Sequence, residues 1–105
     1  MEIKAWEIWM ACVRFEESEE TKVRPVLITH NGEAFVVGYK VTGHTPRNMW
    51  GEYSIKNWQA AGLSKPSTVR FSKMLQIPQA DVIRKIGTLQ GLDKVAVIRM
   101  LKSRR

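Results

Sequence analysis

Residues 24–29 and 34–42 are two runs of β-forming side chains on either side of Asn31-Gly32. That dipeptide is a strong hairpin signal because both residues tolerate positive φ. The middle of the chain is therefore predicted to fold back on itself as two antiparallel strands. Pro25 has no amide hydrogen to donate and belongs at the start of its strand. In the second run Phe35, Val37, Tyr39 and Val41 recur at every other position and are predicted to share one face. A further run upstream, residues 5–15 (Ala-Trp-Glu-Ile-Trp-Met-Ala-Cys-Val-Arg-Phe), is rich in aromatic and apolar side chains and reads as a mostly buried strand.

Turn-forming residues divide the rest. Gly43, Pro46, Asn48 and Gly51 make residues 43–53 a loop. A short helix is expected over 55–62, with Ser54 as its N-cap and Gly62 as its terminator. Ser64-Lys65-Pro66-Ser67 reads as a turn. Residues 68–75 alternate as a strand, Val69, Phe71 and Leu75 facing one way and Thr68, Arg70 and Ser72 the other, until Pro78 breaks it. Residues 81–86 fit either a strand or one helical turn, ended by Gly87. Leu92, Val95, Ile98 and Leu101 lie at helical spacing over 91–102. Five strands and two helices predict a mainly β chain with short helices, in the α+β class. Its centre would be a strongly bent antiparallel sheet or small β-barrel, forming a single domain over residues 1–105.

Composition narrows the function classes. No apolar run approaches the ~18 residues of a membrane span. Met1-Glu2-Ile3-Lys4 does not resemble the start of a secretory signal, so a cytoplasmic protein is expected. One cysteine, Cys12, rules out an intrachain disulfide and a four-thiolate metal site. Two histidines and two aspartates leave little for a metal cluster, and neither metal nor other cofactor is expected. The net charge of +7 is unevenly spread. Residues 1–20 hold six acids and two bases, a net of −4, whereas residues 21–105 hold four acids and fifteen bases, a net of +11. Such an excess attracts polyanions through long-range field and counterion release, and it also serves plain solubility.

Several side chains suit phosphate chemistry, each with a plainer reading beside it. Arg24 opens an apolar strand after a polar loop. Its planar donor fork fits a phosphate, and it equally fits an ion pair with Glu16, Glu17, Glu19 or Glu20 of that loop. His44 follows the third strand by two residues, beside Arg47, and suits either proton transfer near neutral pH or simple solvation. Lys65 sits in a turn. Arg70 and Ser72 share a polar strand face that can line a groove or face solvent. Trp9 reads as core and Trp50 as a ring able to stack on a base or to plug one end of a barrel. Cys12 reads as a buried, inert thiol. The basic tail Lys102-Ser103-Arg104-Arg105 complements a helix dipole.

Taken together, five segments in order resemble the MazF/PemK family of toxin endoribonucleases from type II toxin–antitoxin systems. These are Trp6-Glu7-Ile8-Trp9, with Trp6 where the family has glycine; Arg24-Pro25-Val26-Leu27-Ile28; Val41-Thr42-Gly43; Ser67 to Arg70; and Lys85-Ile86-Gly87-Thr88-Leu89. The resemblance implies a small Src-homology-3-like barrel with added helices, paired as a homodimer. It implies metal-independent cleavage of single-stranded RNA by ribose 2′-hydroxyl attack, leaving a 2′,3′-cyclic phosphate, and an acidic antitoxin as partner. It places the catalytic arginine on Arg24 and the threonine at Thr42, and matches Arg70 to an arginine used by some members. His44, Arg47 and Lys65 are added as RNA-binding candidates on position and charge. Where some members carry an aspartate, two residues after that arginine, this chain has Ser72. Where some carry a histidine, in the first loop, it has glutamates. The general base is left between Glu7 and His44. A non-catalytic nucleic-acid- or protein-binding barrel of the same fold is the alternative.

Overall fold

A computed structural model describes residues 2–14, 21–43 and 51–103. Its strands are β1 (Glu7–Arg14), β2 (Thr21–Asn31), β3 (Phe35–Thr42), β4 (Glu52–Ser54), β5 (Thr68–Pro78) and β6 (Val82–Thr88), followed by the helix α1 (Gly91–Ser103). They form one antiparallel sheet in the order β4-β5-β3-β2-β1-β6. Among the described residues this sheet has two ends and does not close, so the expected barrel is an open sheet. Among these residues it has six strands where five were expected, because Glu52–Ser54, predicted as the end of a loop and a helix N-cap, pairs with β5. Residues 82–88 resolve the ambiguity there as a strand, entered through a single 3₁₀ turn at Gln79–Asp81.

The β2–β3 hairpin forms where Asn31-Gly32 predicts it, by a different geometry. Asn31 is the last residue of β2, neither residue has positive φ, and the Gly32 amide donates to the Phe35 carbonyl at 2.9 Å. Gln79 fastens this turn from outside, its side-chain amide donating to Asn31 Oδ1 at 2.8 Å.

Both faces of the sheet are buried. Ile8, Leu27, Tyr39, Val41, Val69 and Phe71 project to one side, where Ile55, Ala61, Leu89 and Val97 complete a core. Trp9, Ala11, Val13, Val26, Ile28, Val36, Ile77 and Val82 form a second core on the other side, with Ile3. Tyr39 and Phe71 meet edge to face at 4.9 Å in the first core. Of the predicted β3 face, the Tyr39 and Val41 end is buried, while Phe35 is exposed. β5 departs from prediction at a bulge. Lys40 pairs with Arg70 and Gly38 with Leu75, so residues 71–74 of β5 oppose Tyr39 alone. This odd offset turns the strand over. Val69 and Phe71 therefore enter the first core, and Leu75, expected beside them, packs with the second.

The expected helix over 55–62 is a single hydrogen-bonded turn. Ala61 N–H reaches the Asn57 carbonyl at 3.1 Å, Gly62 N–H the Gln59 carbonyl at 3.0 Å and Leu63 N–H the Trp58 carbonyl at 3.0 Å. The last two bonds, with Gly62 at φ 93°, make a Schellman ending in which only glycine is unstrained. Ser54 is the end of β4 and not a cap. α1 spans Gly91–Ser103, one residue beyond the predicted 91–102, with a different buried stripe. Val97 is fully buried and Met100 and Leu101 pack on the first core, but Leu92 and Val95 are exposed. No helix among the described residues is long and apolar enough to cross a membrane.

Candidate functional site

The site begins where the β2–β3 ladder stops. Val26 pairs with Lys40. Carrying that register two residues further sets Arg24 opposite Thr42, at the place where Pro25 supplies no amide hydrogen. The strands splay here into a pocket of about 380 Å³ lined by Arg24, Pro25, Val41, Thr42, Gly43, Leu63, Ser64, Lys65 and Ser67. Three of the sequence-predicted residues, Arg24, Thr42 and Lys65, thus share one concavity although 18 to 41 residues separate them in sequence.

Each wall has a local cause. Arg24 is exposed on β2, and its Nη1 donates to the Val23 carbonyl at 2.9 Å. Thr42 ends β3 half-exposed. The Lys65 stem lies over Gly43, where a Cβ would collide with its Cε. A larger residue at position 43 would displace the flexible end of this lysine. Ser67 donates from its hydroxyl to the Lys65 carbonyl at 2.8 Å, which tightens the turn carrying that lysine. The result is a small cleft with two cations and the hydroxyl side chains Thr42, Ser64 and Ser67 on its polar walls and Pro25, Val41 and Leu63 as apolar ones. Such a lining suits an anion attached to a flat apolar group.

Other candidates fall elsewhere. Arg70 does not line this pocket. It lies on the same sheet face as Thr42, two residues along, with its Nε 3.8 Å from Glu52 Oε1. His44, Arg47, Trp50 and the glutamates of the first loop lie outside the described residues. Cys12 is half-buried and His30 exposed. Glu7, one of the two base candidates, is engaged in structure. It is 6% exposed and accepts from the Lys4 amide at 2.7 Å, from Trp9 Nε1 at 3.0 Å and from Lys85 Nζ at 2.7 Å. Burial opposes its charge, yet these donors outweigh burial and hold the carboxyl below its ordinary value. A carboxylate so satisfied is a poor proton acceptor.

Sequence reasoning missed Leu63, Ser64 and Ser67 as pocket walls, though the turn carrying two of them was legible. It also missed Asp93, a fully buried carboxylate on α1. Asp93 Oδ1 accepts from the Tyr53 hydroxyl at 2.5 Å and the Lys56 amide at 2.9 Å, and Oδ2 from the Asn57 amide at 2.8 Å. Burial, then the adjacent carboxylate, push the Tyr53 phenol well above its ordinary value. An aspartate near a helix N-terminus ordinarily complements the dipole, so no sequence signal distinguishes this one.

Residues 4–103 match the model of the PemK-like, MazF-like toxins of type II toxin–antitoxin systems. Among solved structures, the Mycobacterium tuberculosis toxin MazF-mt6 is similar at 25% identity and a TM-score of 0.73, over 92% of this chain and 93% of that one. A second structure, described as an Mtb toxin, is similar at 27% identity and a TM-score of 0.66, over 76% of this chain and 90% of that one. No curated protein sequence matches. With the open antiparallel sheet, the C-terminal helix and nearly the whole length accounted for, the chain belongs to the PemK/MazF family of type II toxin–antitoxin toxins.

Proposed function

We propose that this toxin is a metal-independent endoribonuclease that cuts single-stranded RNA at the Arg24–Thr42 pocket. The observation that carries the reading is the convergence of Arg24, Thr42 and Lys65 on one cleft. In the reaction the ribose 2′-oxygen attacks the adjacent phosphorus and the P–O5′ bond breaks. The products are a 2′,3′-cyclic phosphate and a 5′-hydroxyl. Negative charge on the phosphorane grows on the non-bridging oxygens. Arg24 stabilises it through charge-assisted hydrogen bonds, Thr42 positions one phosphate oxygen, and Lys65 adds a second cation from the opposite wall. With Glu7 committed to Lys4, Trp9 and Lys85, the base to test is His44, two residues beyond Thr42.

The partner that restrains such a toxin is, on this reading, an acidic antitoxin segment that competes with RNA for the basic surface. The net of +11 over residues 21–105 supplies the attraction. Family membership supports a homodimer as the working assembly.

The test is cleavage of a single-stranded RNA oligonucleotide in excess EDTA, with products resolved as cyclic phosphates. Wild type should cut, and Arg24→Ala should lose at least ~100-fold in rate with an unchanged circular dichroism spectrum. Full activity in Arg24→Ala removes the mechanism. RNA binding by wild type without any cyclic-phosphate product selects the alternative, a non-catalytic binding module, which the exposed Ser72 in place of an aspartate would then explain.

A further inference from the structure

The pocket's second wall belongs to a segment with little structure of its own. Residues 55–67 carry Leu63, Ser64, Lys65 and Ser67 to the cleft, yet contain one hydrogen-bonded turn and no strand. Short turns of this kind are marginal alone, because few bonds offset the ordering of many backbone angles. Something else must hold the segment in place.

Two devices do so. The Ile55 amide donates to the Ser67 carbonyl at 2.9 Å and closes the segment's base. The start of the turn is capped from another part of the chain. The Asp93 carboxylate takes the Lys56 and Asn57 amides on separate oxygens, in the manner of an N-cap side chain, while Tyr53 donates to it from β4. From that cap the chain makes one turn, ends at Gly62 and emerges as Leu63-Ser64-Lys65. Asp93 itself is fully buried and lines no part of the described pocket.

We propose that Asp93 of α1 is a positioning residue for the RNA site. By capping the 55–62 turn it fixes the wall that brings Lys65 and Leu63 to face Arg24 and Thr42. The proposal rests on the pocket being the RNA site. It makes substrate affinity depend on a helix that does not touch substrate.

Asp93→Asn tests it, because the amide nitrogen cannot accept and one cap bond becomes two opposed donors. In the full-length protein, hydrogen exchange at Lys56 and Asn57 should quicken about tenfold. The amide resonances of Leu63, Ser64, Lys65 and Ser67 should shift while those of Ile8 and Leu27 stay. With single-stranded RNA, KM should rise about tenfold and kcat change less than about threefold, the signature of lost binding rather than lost chemistry. Tyr53→Phe keeps both amide bonds and should move the same readings less. Val97→Ala, on the same helix and equally buried, is the control for general destabilisation and should leave KM and the 63–67 resonances in place. Unmoved 63–67 resonances in Asp93→Asn, or an equal KM rise in Val97→Ala, overturns the proposal. If wild type cleaves no RNA, the functional reading falls, and the resonances alone decide whether Asp93 sets the wall.

Discussion

Glu7 separates structural from chemical use of a carboxylate. It enters the sheet at the first residue of β1 and meets a backbone amide, an indole and a lysine within 3.0 Å. Its folded value lies below its ordinary one, so its contribution is fully present above pH ~4.5 and is lost as pH falls through the depressed folded value. Glu7→Ala should therefore cost about 2–3 kcal/mol at pH 7, measured by urea unfolding. The gap between variant and wild type should narrow as the pH is taken below ~4. On the proposed mechanism, the pH profile of cleavage belongs to another group. His44→Ala should remove the acidic limb of the kcat/KM profile, whereas a Glu7 variant that still folds should keep it. Trp6 is the other unusual residue at this corner. It holds φ 73°, a left-handed conformation that glycine, the family's residue there, adopts freely. Its ring packs on the first core with the Lys94 ammonium 5.8 Å from its centre, and the packing compensates for the backbone.

Among the elements, α1 and the 55–62 turn show how burial, not spacing, decides which side chains matter. Leu92 and Val95 sit at helical spacing with Ile98 and Leu101, yet they are 77% and 47% exposed, while Val97 and Asp93 are buried. Leu92→Lys should change stability by less than about 0.5 kcal/mol. Val97→Ala should cost about 2 kcal/mol through lost transfer energy and a residual cavity. Thermal unfolding of the two variants side by side checks the contrast. Gly62→Ala should destabilise by more than ~1–2 kcal/mol, since a Cβ there is both in a left-handed conformation and against the Ile86 carbonyl. The β5 bulge works at the same level. It lets one strand serve two cores.

For the whole molecule the governing quantity is charge. An excess of bases over the last 85 residues predicts RNA affinity that falls steeply with salt. Each phosphate neutralised on a single strand contributes a slope of about −0.7 to log K against log salt. Lys65→Ala should flatten the slope measured by fluorescence anisotropy by about that amount.

Much of the architecture is legible from residue types alone. Hairpin chemistry at Asn31-Gly32, alternation along β3 and β5, the C-terminal helix and the basic surplus all act through neighbours in sequence, where side-chain period and turn preference operate. Arg24 is legible as a charged residue ahead of an apolar run, suited equally to phosphate or to an ion pair, whereas Thr42 is marked by the family resemblance alone. What needed the folded chain was everything set by distant partners. Strand β4 is three residues long and exists only because β5 offers it an edge. The face occupied by Leu75 depends on a bulge that leaves alternation in the sequence untouched. The cap on residues 56–57 comes from Asp93, 36 or more residues away. Local patterns report the preferences of a segment, but a long-range hydrogen bond or a register shift is chosen by the free energy of the whole packed sheet.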